Sequence, residues 1–249
     1  HRNTITTNGS ANSSGIVLMT NTHNNTIMNN TIVTISAGDG STGVFIFGYA
    51  NNNSITNNTI RALNGTANNT GIRLELSVFN TTVINNTIRT NGSAQNNTGI
   101  SLLRTASENR VENNTVETNG TANNTGMWLG QVANNNTVYN NTVLTNGSGQ
   151  YNYGILLRNV TIGNAVVLNT SYTNGSGNNT GIILMENAHN NTVRNNSVVA
   201  RGTYSTDGIR LNGTVLNNSF SGNNVTVTVS SVNGLSIQFA YAGISLNDR

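Results

Sequence analysis

The sequence has no cysteine, no proline and no lysine, and charged residues make up only 8% of its 249 positions. Without cysteine there are no disulfides, thiolate metal sites or cysteine nucleophiles. The three histidines, His1, His23 and His189, stand far apart with no ligand spacing, so no metal or other cofactor is expected. Nucleic-acid binding needs clustered basic residues; the eleven basic residues are all Arg and scattered, so a net charge of +3 does not name that partner. No apolar run is long enough to span a membrane. The chain starts at His1 with no signal peptide and is expected to be a mature or trimmed form.

What is present is repetition. Asn makes up roughly a fifth of the chain, an extreme bias. Ile, Val and Leu recur at fixed phases, so they can build a core despite the low charge. One unit, Thr81 to Asn109, holds three short apolar-alternating pieces: Thr82-Val83-Ile84, Thr87-Ile88-Arg89 and Gly99-Ile100-Ser101-Leu102. It recurs about every 28 residues, and its glycine returns as Gly15, Gly43, Gly71, Gly99, Gly126, Gly154, Gly181 and Gly208. The runs are short, β-branched and bounded by Asn or Gly, which predicts strands rather than helices. Three such strands fit one coil, each pairing in parallel with its equivalent about 4.8 Å above.

In that coil the first strand turns Ile27, Ile55, Val83, Val111, Val138, Val166, Val193 and Val215 inward. The second stacks Ile32, Ile60, Ile88, Val116, Val143 and Val198, and the third stacks an Ile rank through Ile100 and a Leu rank through Leu102. Asn pairs such as Asn85-Asn86 and Asn113-Asn114 fall at the corner between the first two strands. Asn suits a left-handed corner, and stacked amides can form a ladder.

These units, Asn-Asn-Thr-Ile followed by Gly-Ile-x-Leu, resemble the parallel β-helix repeat family, most closely its NosD-like and archaeal surface-protein versions. The resemblance covers almost the full chain. It implies an all-β, right-handed, single-stranded parallel β-helix in an extracytoplasmic setting; the repeat count itself predicts eight to nine coils in one domain over residues 1–249, open at both ends. It does not select an activity, because the family hosts lyases, hydrolases, epimerases, adhesins, tailspikes and surface-layer proteins. The NosD likeness raises copper handling, but four methionines and three scattered histidines make no copper site.

Chemistry is sparse in the sequence. Asp39 and Asp207 sit in equivalent loops about six coils apart, roughly 29 Å. Glycoside hydrolysis needs two carboxyls about 5–10 Å apart, so they cannot be a pair. Glu108, Glu112 and Glu117, around Arg110 with Arg104 close by, form the best catalytic candidate; the plainer reading is solvated ion pairs. Outward alternation on the third strand gives an apolar stripe of Val17, Phe45, Phe47, Trp128, Leu156 and Ile183, interrupted by Arg73, Glu75, Ser101 and Arg210. Such a stripe marks a covered surface, either under the coil's own loops or under another chain.

About thirty Asn-x-Ser/Thr sequons make Asn8, Asn64, Asn68, Asn91, Asn96, Asn119, Asn123, Asn146, Asn174 and Asn178 glycosylation candidates, with glycans as covalent partners. Gly243 to Arg249 reads as a fresh third-strand motif whose phase continues into His1 to Ile5 of another copy. Matching open ends predict head-to-tail stacking with copies of itself. The expectation is therefore a non-enzymatic extracellular or cell-surface protein that forms a glycosylated filament or sheath. The alternative is a carbohydrate-active β-helix, a lyase, hydrolase or glycan binder. Ice binding by the outward threonines Thr31, Thr59, Thr87, Thr115 and Thr142 is disfavoured, because they form no flat Thr-x-Thr array.

Overall fold

The computed structural model describes residues 2–230 and 245–247. They form a right-handed parallel β-solenoid of about eight turns with three strands per turn and no helix among the described residues. The strands assemble into three sheets of nine, eight and nine strands that run along the axis. Each coil supplies a three-residue first strand such as Thr82–Ile84, a second such as Thr87–Gly92 and a third such as Thr98–Leu103. Every strand pairs in parallel with its equivalent one coil away, so the sequence repeat and the ladder register coincide.

The inward columns pack into one aliphatic core that includes Ile32, Ile60, Val83, Ile88, Ile100, Leu102, Val111 and Val116. Val44 and Met127 occupy the third-strand Ile column. One expected core position differs. Phe220, not Val215, stands in register with Val193 on the first sheet. Val215 is buried before that strand: the backbone N–H of Leu216 donates to His189 Nδ1, which places Val215 level with Ala188. A short apolar run at this site offers two candidate inward residues, and register alone selects between them.

Asn ladders hold the corners. At the corner between first and second strands the second Asn of each pair is buried, and Asn58, Asn86, Asn114, Asn141 and Asn169 each donate Nδ2 to the next Oδ1 at 3.0–3.1 Å. Two more ladders stand at the other corners, one through Asn109, Asn136 and Asn164 and one through Asn69, Asn97, Asn124 and Asn152. The first Asn of each pair, such as Asn85 or Asn113, is exposed with a left-handed backbone (φ 55° at both).

The third-strand reading of the C-terminus is corrected. Ser245–Asn247 pairs with Ser219–Ser221 in the first sheet rather than with a third strand. Of the residues needed for end-to-end joining, 1, 243–244 and 248–249 lie outside the described residues.

Candidate functional site: the groove over the third sheet

The third sheet presents three outward columns to one groove. The first holds Thr70, Thr98, Thr125, Tyr153 and Thr180; the second Phe45, Arg73, Ser101, Trp128, Leu156 and Ile183; the third Phe47, Glu75, Leu103, Gly130 and Arg158. Corners rise on both sides because the backbone turns left-handed there. Asn68, Asn96, Asn123 and Tyr151 form one wall (φ 53–61°), and Arg104 and Gln131 (φ 48° and 53°) form the other. The floor and walls enclose about 620 Å³, within the usual range for a ligand cleft.

One cluster of charge in this groove joins residues from two coils. Glu75 is only 2% exposed and is ion-paired with Arg73 on its own strand and with Arg104 Nη1 at 3.0 Å. Register explains the second contact: Glu75 stands opposite Leu103, so Arg104 lies one residue beyond it on the next coil. Arg73 also covers the Phe45 ring, with its guanidinium carbon 5.3 Å from the centroid. Further along, Arg158 donates Nε to Glu186 at 2.8 Å and holds its other oxygen through Nη2 at 2.7 Å. That bond raises the Arg158 pKa above its ordinary value.

Tyr153 takes a position that threonine holds in neighbouring coils. Burial pushes its phenol pKa up, while the charges of Arg210 and Arg158 pull it down. Burial likewise raises Asp207, against the pull of Arg210, whose Nη1 lies 3.6 Å from the carboxylate. Trp128 is half-buried on the floor. A side chain at Gly130 would run into its indole Nε1, so this glycine leaves room for the ring to lie across the sheet.

The expected apolar stripe is only partly open. Val17 is 41% exposed, and Phe45 and Phe47 are half-buried with ring centroids 5.5 Å apart. Leu156 and Ile183 are buried (5% and 1% exposed), so at these two positions the chain itself covers the stripe. Alternation sets the direction in which a side chain leaves the sheet but not how far its neighbours lean over it. Leu156 sits in register between Trp128 and Ile183, with the larger Tyr153 and Arg158 on its own strand.

The Glu108–Glu112–Glu117 candidate comes apart. Glu108 is exposed at a corner, Glu112 pairs with Arg110 on the first sheet, and Glu117 lies 3.6 Å from Arg89 on the second. Sequence proximity fails here because a coil turns its strands onto different faces. Of the sequon residues, Asn8, Asn64, Asn68, Asn91, Asn96 and Asn174 are exposed, while Asn119, Asn123, Asn146 and Asn178 are half-buried. Asn119 donates to Glu117 at 2.7 Å, Asn146 to Asn119 at 3.3 Å, Asn123 to Gln95 at 2.9 Å and Asn178 to Gln150 at 3.1 Å.

Comparison with known proteins agrees with this architecture. The family profile described as "Right handed beta helix region" matches residues 66–198. That described as "Periplasmic copper-binding protein (NosD)" matches residues 1–122. Among solved structures, the periplasmic alginate epimerase AlgG superposes with a TM-score of 0.56 at 15% identity, covering 90% of this chain and 49% of its own. This chain thus spans about half the length of that enzyme. An alginate lyase from Paenibacillus sp. str. FPU-7 gives a TM-score of 0.43 at 11% identity, with 93% of this chain and 99% of that one covered. No curated protein matches the sequence.

The epimerase match corrects the expectation of a non-enzymatic chain: the fold shared over nine-tenths of this chain is one on which an enzyme is built. A copper site does not fit the residues present. Among the described residues no three of His, Asp or Glu come together, and His23 Nδ1 is occupied by the backbone N–H of Asn51 at 3.0 Å.

Proposed function

Because the chain belongs to the right-handed β-helix family, we propose that it is a carbohydrate-active β-helix that lays an acidic polysaccharide along the groove of the third sheet. The observation that carries this reading is the groove itself, where Trp128, Tyr153, Arg73, Arg104 and Arg158 line one continuous volume. An aromatic floor accepts the apolar face of a sugar ring, and guanidinium forks suit carboxylates. Strand spacing of about 4.8 Å repeats these positions along the axis, as a polymer requires.

Among reactions on such a polymer, hydrolysis fits poorly. It needs two carboxyls about 5–10 Å apart, and Glu75, already paired with two arginines, is the one carboxylate among the described lining residues. Removal of the proton beside a uronate carboxylate fits better, with the ionised phenolic oxygen of Tyr151, the second tyrosine lining the groove, taking that proton. A guanidinium can stabilise the charge that develops on the carboxylate. Tyr153, whose raised pKa keeps the phenol protonated, can give a proton to the departing oxygen or to the opposite face of the carbon. The periplasmic descriptions of the NosD profile and of the epimerase support a periplasmic or extracellular setting. A glycan at Asn68, Asn96 or Asn123 would fill the groove, so on this reading those sequons stay bare.

Alginate, the polymer in the epimerase's name, is the first substrate to test, beside other polyuronates and a neutral glucan. Elimination is read from ultraviolet absorbance of the unsaturated uronate, and epimerisation from exchange of the proton beside the carboxylate by NMR. Turnover that Tyr153→Phe abolishes supports the reading; no binding and no turnover on any polyuronate overturns it.

A further inference from the structure

Among the described residues, arginines of the third-sheet face are matched one to one with carboxylates, except at one place. Arg158 has Glu186, and Arg210 has Asp207. Arg73 and Arg104 share the single carboxylate of Glu75. Two guanidiniums against one carboxylate leave one positive charge at this level of the groove. Its donors are also incompletely used. Arg73 Nε is enclosed with no hydrogen-bond partner among the described residues, an uncommon state for a buried donor. Arg104, 58% exposed on the wall, has among the described residues the Glu75 contact alone, although a guanidinium carries five N–H donors.

We infer that Arg73, Arg104 and Glu75 form a subsite for one anionic group of the bound glycan, a carboxylate or a sulfate, and that Glu75 sets the charge it accepts. This deepens the reading of the groove as a polysaccharide site and rests on it for the polymer, though not for the anion. Glu75 has two effects here. It holds Arg73 against Phe45 and draws Arg104 over the groove, so both forks are preorganised. It also cancels one of the two charges, so the subsite takes a monoanion. Ser101 and then Trp128 follow Arg73 in the same outward column. The anion therefore sits about 10 Å, or two strand spacings, from the aromatic floor. The distance places recognition of the charge apart from Tyr153.

The test uses the full chain and three variants, Glu75→Gln, Arg104→Asn and Trp128→Ala, with folding checked by circular dichroism. Arg104 lies at an exposed left-handed corner that Asn adopts readily, so that variant stays informative if Glu75→Gln fails to fold. Binding of alginate oligomers, dextran sulfate and neutral dextran is measured at constant ionic strength, together with glucuronate and methyl sulfate as small monoanionic probes. The expected result is weaker binding of every anion by Arg104→Asn and tighter binding by Glu75→Gln, each by about three- to tenfold, with neutral dextran unchanged. Comparison of alginate with dextran sulfate, and of glucuronate with methyl sulfate, tells which anion is preferred.

If the small anions follow this pattern but no polymer binds, the subsite stands and the polysaccharide reading falls. If polymers bind through Trp128 while anion affinity ignores both charge variants, the three residues only close a corner and the inference is overturned.

Discussion

Asn114 donates its side-chain Nδ2 to Oδ1 of Asn141 at 3.0 Å and to the backbone carbonyl of Val83 at 2.8 Å, while its own Oδ1 accepts from Asn86 at 3.0 Å. One amide thus ties three coils together. Replacing Asn114 by Ala leaves several buried groups unpaired, each costing about 1–3 kcal/mol. Its exposed neighbour Asn113 holds the left-handed corner and accepts one solvent-exposed hydrogen bond from Asn140 Nδ2 at 2.7 Å, so Asn113→Gly is expected to change stability by only a few tenths of a kcal/mol. Urea denaturation of the two variants should separate them clearly; equal effects would mean that the ladder is incidental.

Gly99 is the second residue of the third strand, where neighbouring coils approach closely. A methyl group there would meet Val116 Cγ1 and the carbonyl oxygen of Gly126 on the next coil. Backbone cannot move aside as a side chain can, so Gly99→Ala is expected to destabilise by about 1–3 kcal/mol or more. Ile100→Ala, which removes a fully enclosed core side chain, is expected to cost about 2–5 kcal/mol. Thermal melts of both variants check this, and a melting temperature unchanged by Gly99→Ala would refute the close approach.

Within the groove, Tyr153→Phe keeps the ring and removes the proton. It is expected to lower turnover of a polyuronate by about 10²–10⁴-fold with little loss of affinity. Trp128→Ala is expected to do the reverse, weakening binding more than turnover at saturation. Steady-state kinetics on the same substrate resolve the two, and a Tyr153→Phe enzyme with full turnover would remove Tyr153 from the reaction.

Asp207 has a folded pKa raised above the ordinary value of 3.8 by burial. The folded state therefore holds its proton at pH values where the unfolded chain has lost it. Its contribution to stability is full below the unfolded pKa and declines as pH rises through the folded one. Relative to Asp207→Asn, the native chain should gain stability on acidification across the carboxylate range. A difference between the two melting curves that does not vary with pH would show that the Arg210 pair fully offsets the burial.

The coil, its three strands, the inward aliphatic ranks and the corner Asn ladder could all be read from the repeat. Each depends on residues that recur at one spacing, and in a parallel ladder a constant spacing is a constant neighbour. Irregular positions were harder to read. Glu75 and Arg104 are single departures from the repeat, and their meeting depends on an offset of one residue between adjacent coils. Glu108, Glu112 and Glu117 are close in sequence yet separated in space, because successive strands of a coil face different directions.

Leu156 and Ile183 show the same division within one column. Alternation settled that they point out of the third sheet, and only the packed structure decided that they are covered there. Sequence alone determined the architecture, since local β-propensity and a fixed period specify which strand stacks on which. Tertiary structure alone decided the groove: its walls, its shared carboxylate and its enclosed donors come from side chains on different coils. Their contacts depend on how far each side chain leans across a rung, which no periodicity encodes.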